Sequence, residues 1–166
     1  RARTASGFCV LDNTFSRAKF RRGTPEGNLR VTAAHELFHA VQYAYDYAED
    51  PWMMESTATW VEERVASEIN DNRQFLREGQ LYLPSLPLDL FVQGRGHQYG
   101  NWIFWEYLSQ RYGTSLVRKT WERAGSRAFD GSRHSFQALH DVLAERGGFA
   151  QVYARYAVDN TVPHLI

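Results

Sequence analysis

Ala34-His35-Glu36-Leu37-Phe38-His39-Ala40-Val41-Gln42 is the stretch from which the rest of this sequence is read. Around it, Val31, Ala34, Phe38, Val41 and Tyr45 recur at three- and four-residue spacing. That period predicts a helix from Leu29 to about Tyr47 with one buried stripe. Inside it stands the pattern H-E-x-x-H. Four residues advance a helix by slightly more than one turn, so His35 and His39 project from one face and their imidazoles can meet on one zinc ion. Glu36 lies beside the pair, where it can reach a water on the metal without being a ligand.

A catalytic zinc takes three protein ligands and leaves a position for water. The continuation H-E-x-x-H-x-x-G-x-x-H would place Gly at 42 and His at 45; Gln42 and Tyr45 stand there instead, which excludes that ligand set. A glutamate from a second helix is the alternative. Asp50-Pro51 predicts such a helix, with Asp50 capping its first turn and Pro51 at its first position, running to about Asn70. The first helix continues roughly 10 Å beyond His39, and the second returns about 7 Å before reaching Glu55. An antiparallel return therefore sets Glu55 beside His39. Glu62 and Glu63 lie about two turns further back and overshoot the pair, so they are expected as solvated or supporting charges. Thr59 and Glu62 share the helical face of Glu55, and either can accept the free N–H of a metal-bound histidine.

The wider chain has 166 residues, 43% hydrophobic and 14% aromatic, with 19 basic and 19 acidic side chains. A chain of this length buries roughly 70% of the surface its unfolded form exposes, enough for one self-supporting domain spanning 1–166. Balanced charge gives no footprint for nucleic acid or for an anionic membrane surface, so neither partner is expected. Cys9 is the only cysteine, which excludes an intrachain disulfide. No apolar stretch approaches the roughly 20 residues of a membrane span. The compartment stays open, with an extracytoplasmic setting slightly favoured.

Gly7 to Asn13 is a short β-prone run ended by turn formers and predicts one strand. Residues 1–28 then form a partial β subdomain, with Cys9 a small buried strand residue, and 29–166 a helical body, giving an α+β class. Residues 71–96, with Pro84, Pro87, Gly79, Gly94 and Gly96, are expected to be mostly loop. Further helices are predicted from His97 to Tyr112 and Thr114 to Ala124, stopped by Gly113 and Gly125, and from Ser135 to Arg146 and Phe149 to Asn160. Trp102, Phe104, Trp105 and Tyr107 read mainly as core, and Tyr153, Tyr156 and Ala157 as a packing face. His134, His140 and His164 have no ligand spacing and read as structural or surface.

The stretch from Ala34 to Gln42, followed by Trp52-Met53-Met54-Glu55-Ser56-Thr57-Ala58-Thr59-Trp60-Val61-Glu62, resembles the gluzincin zinc metallopeptidases. The second segment is similar to the W-L-N-E-G-x-A-x-Y/W-x-E segment of their aminopeptidase branch, with Trp52, Glu55, Ala58, Trp60 and Glu62 in register. Among bacterial sequences it is similar to a group of metallopeptidases carrying H-E-x-F-H-A-x-Q and a later Y-G-x-W-x-F, here Tyr99-Gly100-Asn101-Trp102-Ile103-Phe104. The resemblance implies a mainly helical zincin-like domain and a zinc ion held by His35, His39 and Glu55. It implies hydrolysis of peptide or protein substrates, with Glu36 as the base that activates a zinc-bound water. It also implies an oxyanion donor, for which Tyr99 and His97 are the candidates, and a substrate backbone laid along an edge strand, for which Gly7 to Leu11 is the candidate.

Two departures shape the expectation. Fifteen residues (40–54) separate His39 from Glu55, fewer than is usual in the aminopeptidase branch. The G-x-M-E-N segment that holds a substrate's free amino terminus is absent, which points to an endopeptidase. A lone strand is not a stable sheet, so a missing N-terminal segment or an upstream propeptide is expected. The alternative function is a catalytically inactive zinc-binding interaction or adhesion module on the same fold; hydrolysis of a non-peptide bond by the same site is another.

Overall fold

A computed structural model describes residues 3–20, 22–127 and 135–161. The described residues form seven α-helices: α1 (Pro25–Asp46), α2 (Pro51–Ala66), α3 (His97–Gly100), α4 (Trp102–Tyr112), α5 (Ser115–Arg127), α6 (Ser135–Leu143) and α7 (Phe149–Thr161). Short 3-10 helices cover Asp71–Glu78 and Ala144–Arg146.

The expected N-terminal β element is not formed, and no strand occurs among the described residues. Residues 7–10 lie exposed and Leu11 half-buried, with no partner strand among the described residues, so there is no ladder to take their backbone groups. Phe8 and Val10 are 89% and 80% exposed, and Cys9 is exposed too, not a buried strand residue. The start of this segment instead caps α1. Ala5 N–H donates to Tyr43 O at 3.0 Å and Tyr47 N–H donates to Arg3 O at 2.8 Å, serving groups at the frayed end of the helix.

α1 starts four residues before the predicted Leu29. Thr24 Oγ1 accepts from Gly27 N–H at 3.0 Å and Pro25 occupies the first helical position, so the cap and the proline set the start. Its inward face also differs from the apolar stripe. The buried positions are Asn28, Val31, Gln42 and Asp46, with His35 and His39 between them, whereas Val41 is 45% exposed. Phe38, Val41 and Tyr45 turn towards α5, where they border a smaller apolar cavity.

α2 is the central element. Trp52, Met53, Ala58 and Trp60 are buried against Phe104, Trp105 and Leu108 of α4, Trp121 of α5 and Leu139 of α6. Five tryptophans would leave five polar N–H groups in this core, and each has an acceptor. Trp52 donates to Ser135 Oγ, Trp60 to Glu106 Oε2, Trp102 to Asn72 O, Trp105 to Ser56 Oγ and Trp121 to Thr57 Oγ1. Asp50 does not cap α2; its carboxylate accepts from the Ser135 hydroxyl and so ties the α2 start to α6. α2 ends at Ala66, short of Asn70, where φ is +56° and the backbone has left the helix.

The expected helix from His97 to Tyr112 is broken at Asn101, whose side chain accepts from Gln80 N–H and donates to Leu88 O, pinning the 79–96 segment. Gly113 ends α4 as expected, but α5 runs through Gly125 to Arg127. A Cβ at Gly125 would lie 3.0 Å from Tyr45 O, so this glycine admits the end of α1. In α7, Tyr156 and Val152 are buried and Ala157 is exposed. His140 is exposed; His134 and His164 lie outside the described residues.

Gly79 and Gly100 cross backbone on backbone: a Cβ at Gly100 would lie 2.3 Å from Phe75 O and 2.5 Å from Gly79 N. This contact brings α3 down on the 3-10 helix. Gly100→Ala is expected to cost about 1–3 kcal/mol, a fall in Tm of several degrees, measured by calorimetry; an unchanged Tm would show that the crossing is not tight.

The α1–α2 corner carries a pH signature. Burial pushes the Glu49 carboxyl up to about 8, opposed by the hydrogen bond from Asp50 N–H and reinforced by the Asp50 and Asp46 charges. The folded state keeps a proton that the unfolded chain releases, so this group lowers stability as pH rises from about 4.5 to 8. In thermal melts across that range, Glu49→Gln is expected to gain in Tm over the parent as pH rises; a constant difference contradicts this.

Candidate metal centre

The geometry begins with the antiparallel packing of α1 on α2. It brings together His35, His39 and Glu55, each offering one donor atom, all within 4.8 Å of one another. His35 Nε2 lies 3.2 Å and His39 Nε2 3.7 Å from Glu55 Oε2. Donors held 2.0–2.1 Å from a tetrahedral ion stand about 3.3 Å apart, so the two separations from Glu55 are near those a zinc ion imposes. The side chains are 12%, 17% and 22% exposed, which leaves the group reachable from solvent.

Each imidazole is oriented from behind. His35 Nδ1 lies 2.7 Å from Glu62 Oε1, and His39 Nδ1 lies 2.7 Å from Gln42 Oε1. Both partners accept, so each histidine donates its Nδ1–H backwards and directs Nε2 towards the common point, where its lone pair is open to a metal once that nitrogen is deprotonated. Of the two residues that share the Glu55 face, Glu62 takes this supporting position; the Thr59 hydroxyl donates to Glu55 O. Glu63 faces elsewhere and accepts from Asn72 Nδ2. The support from Gln42 was not read from the sequence, where Gln42 excluded a glycine and closed the H-E-x-F-H-A-x-Q pattern without being given a role. Its position three residues after His39, on the same helical side, was the available signal.

The electrostatics favour a cation. Burial opposes charge on His35, yet its hydrogen bonds with Glu55 and Glu62 and their charges prevail and push its pKa up to about 9. Glu62 is itself raised, first by burial, with the His35 contact working the other way.

A cleft of about 610 Å³ opens beside the cluster. Asn28, Val31, Thr32, His35 and Glu36 form its α1 side, while Phe75, Glu78 and Tyr99 stand opposite. Tyr99 packs on Phe75 with ring centroids 5.1 Å apart and approaches His35 at 6.1 Å. Burial, then the charges of Glu55 and Glu36, push Tyr99 up to about 12, which keeps the hydroxyl protonated as a donor. His97 is placed differently. It is buried, with Nδ1 2.8 Å from Glu78 O and Nε2 2.9 Å from Pro87 O, so both ring nitrogens are engaged by the segment they anchor.

No family model matches the chain, and neither does any curated protein or solved structure.

The donor set makes a direct prediction. Zinc at 100 times its Kd is expected to stabilise the chain by about 2.7 kcal/mol, a Tm rise of about 5–10 °C. Glu55→Ala should remove that rise in differential scanning fluorimetry; a rise that survives places the ion elsewhere.

Proposed function

We propose that this chain is a zinc-dependent metallopeptidase of gluzincin type that cleaves within peptide chains. The observation that carries the reading is the convergence of His35, His39 and Glu55 beside a cleft that also receives Glu36 and Tyr99. A zinc ion held by the three ligands would supply Lewis acidity, acidifying a water and polarising the scissile carbonyl.

The chain's own residues supply the proton traffic and the binding. Glu36, in the turn that carries His35, accepts the proton of the attacking water and returns it to the departing amine. Tyr99, kept protonated, donates to the carbonyl oxygen as it gains charge. His97 is engaged by the loop carbonyls, which leaves Tyr99 as the oxyanion donor. Along α1 the cleft runs from Asn28 to Glu36, about 12 Å, the reach of three or four extended residues. Such a length suits a segment of unstructured chain. The rival reading, a zinc-binding module without catalysis, is favoured by Tyr99 and His97 both turned away from the metal ligands or by a blocked fourth position; His97 is engaged elsewhere, and Tyr99 lines the cleft with His35 and Glu36.

The test uses unstructured peptides spanning varied sequences, with amide and ester substrates alongside. Cleavage is expected at internal peptide bonds, lost on chelation and restored by zinc. Glu36→Gln should retain zinc and lose about 10²–10⁴ in rate. Tyr99→Phe should lose roughly 10²–10³ in kcat. Zinc-loaded, folded protein that leaves every peptide intact would refute the peptidase reading and favour the non-catalytic one.

A further inference from the structure

The two histidines of the candidate centre are held by different chemistry. His35 faces a carboxylate; His39 faces the neutral amide of Gln42. Gln42 is fully buried, and its orientation is dictated from outside α1. Its Nε2 donates to Met54 O at 2.8 Å and to Thr57 Oγ1 at 2.9 Å, both on α2. With both amide hydrogens taken there, Oε1 is the atom left to face His39. A flipped amide would set oxygen against the Met54 carbonyl and N–H against the His39 Nδ1 proton.

Thr57 is saturated in turn. Its hydroxyl donates to Met53 O at 2.7 Å and accepts from Gln42 Nε2 and from Trp121 Nε1, the latter at 3.2 Å from α5. One donor and two acceptor positions are all in use. The chain of contacts thus runs from α5 through α2 to α1 and ends on the imidazole.

We infer that Gln42 is a positioning residue that fixes His39 with its Nε2 lone pair free for metal, its amide direction being set by Thr57 and Trp121. This rests on reading His35, His39 and Glu55 as a metal site. Replacing the amide by an apolar group of similar length leaves the half-buried His39 without its Gln42 acceptor, free to shift its proton or turn its ring. Partners of this kind are worth 10- to 100-fold in metal affinity.

The experiment measures zinc Kd by chelator competition and the visible absorption of the cobalt(II) form, using zinc or cobalt alone with no substrate. Gln42→Met is expected to raise the zinc Kd 10- to 100-fold and to alter the cobalt bands, with the helical circular dichroism retained. Thr57→Val should move both readouts in the same direction by a smaller factor, and Thr57→Ser, which restores the hydroxyl, should return them. Thr59→Val, which removes a hydroxyl that among the described residues bonds to its own helix backbone at Glu55 O, serves as the control and should change neither. If Gln42→Met fails to fold, the Thr57→Val and Thr57→Ser pair reads the same network. Variants that lose stability while zinc Kd and cobalt bands stay at parental values would overturn the inference and leave the peptidase reading intact. A parent chain that binds no zinc would overturn both.

Discussion

The antiparallel return of α2 onto α1 is the constraint on which everything else in this molecule depends. Four residues, 47–50, join the two helices, and that short turn sets where Glu55 falls against His35 and His39. Rotation of α2 is fixed by its other side: Trp52, Met53 and Ala58 are buried among α4, α5 and α6, so turning the helix to move Glu55 would expose them. Hydrophobic burial on one face of α2 therefore holds a polar cluster on the other, and the rigid core positions donors that have no intrinsic reason to approach one another.

α1 accepts a cost in this arrangement. A helix chosen for stability alone would bury Phe38 and Val41; this one turns Asn28, His35, Gln42 and Asp46 inward. Burying such groups is unfavourable unless each finds a partner. His35 has Glu55 and Glu62, His39 has Gln42, Gln42 has two acceptors placed on α2, and Asn28 donates to Arg22 O. Departures from the apolar pattern concentrate where function is, and on α1 they fall around the candidate metal centre.

The sequence made the donor set legible because the argument needed only helical rise and a short turn: His35, His39 and Glu55 do converge in the structure. The same arithmetic placed Glu62 beyond the donor pair, and it stands behind His35. What escaped was whatever required a third element. The stripe of Val31, Ala34, Phe38, Val41 and Tyr45 satisfied helical periodicity, but tertiary packing selected the polar face. Asp50 was a good cap by local rules, and a hydroxyl from Ser135, 85 residues away, claimed it. Asn101 splits a predicted helix because its amide is drawn to Gln80 and Leu88. Gly7 to Asn13 has strand composition, but strand formation depends on a partner that local sequence cannot supply. His97 and Tyr99 stood two residues apart as candidates with only a slight preference for Tyr99, and the backbone carbonyls of Glu78 and Pro87 that engage His97 lie in a loop whose path local sequence does not give.

An anomalous-scattering map recorded at the zinc edge, from crystals grown with zinc, tests the central claim most directly. The expected result is one peak bounded by His35 Nε2, His39 Nε2 and a Glu55 carboxylate oxygen, with Glu36 and Tyr99 on its open side. A peak closed by a fourth protein ligand contradicts the catalytic account, and a well-ordered trio with no peak between its donors contradicts the metal centre itself.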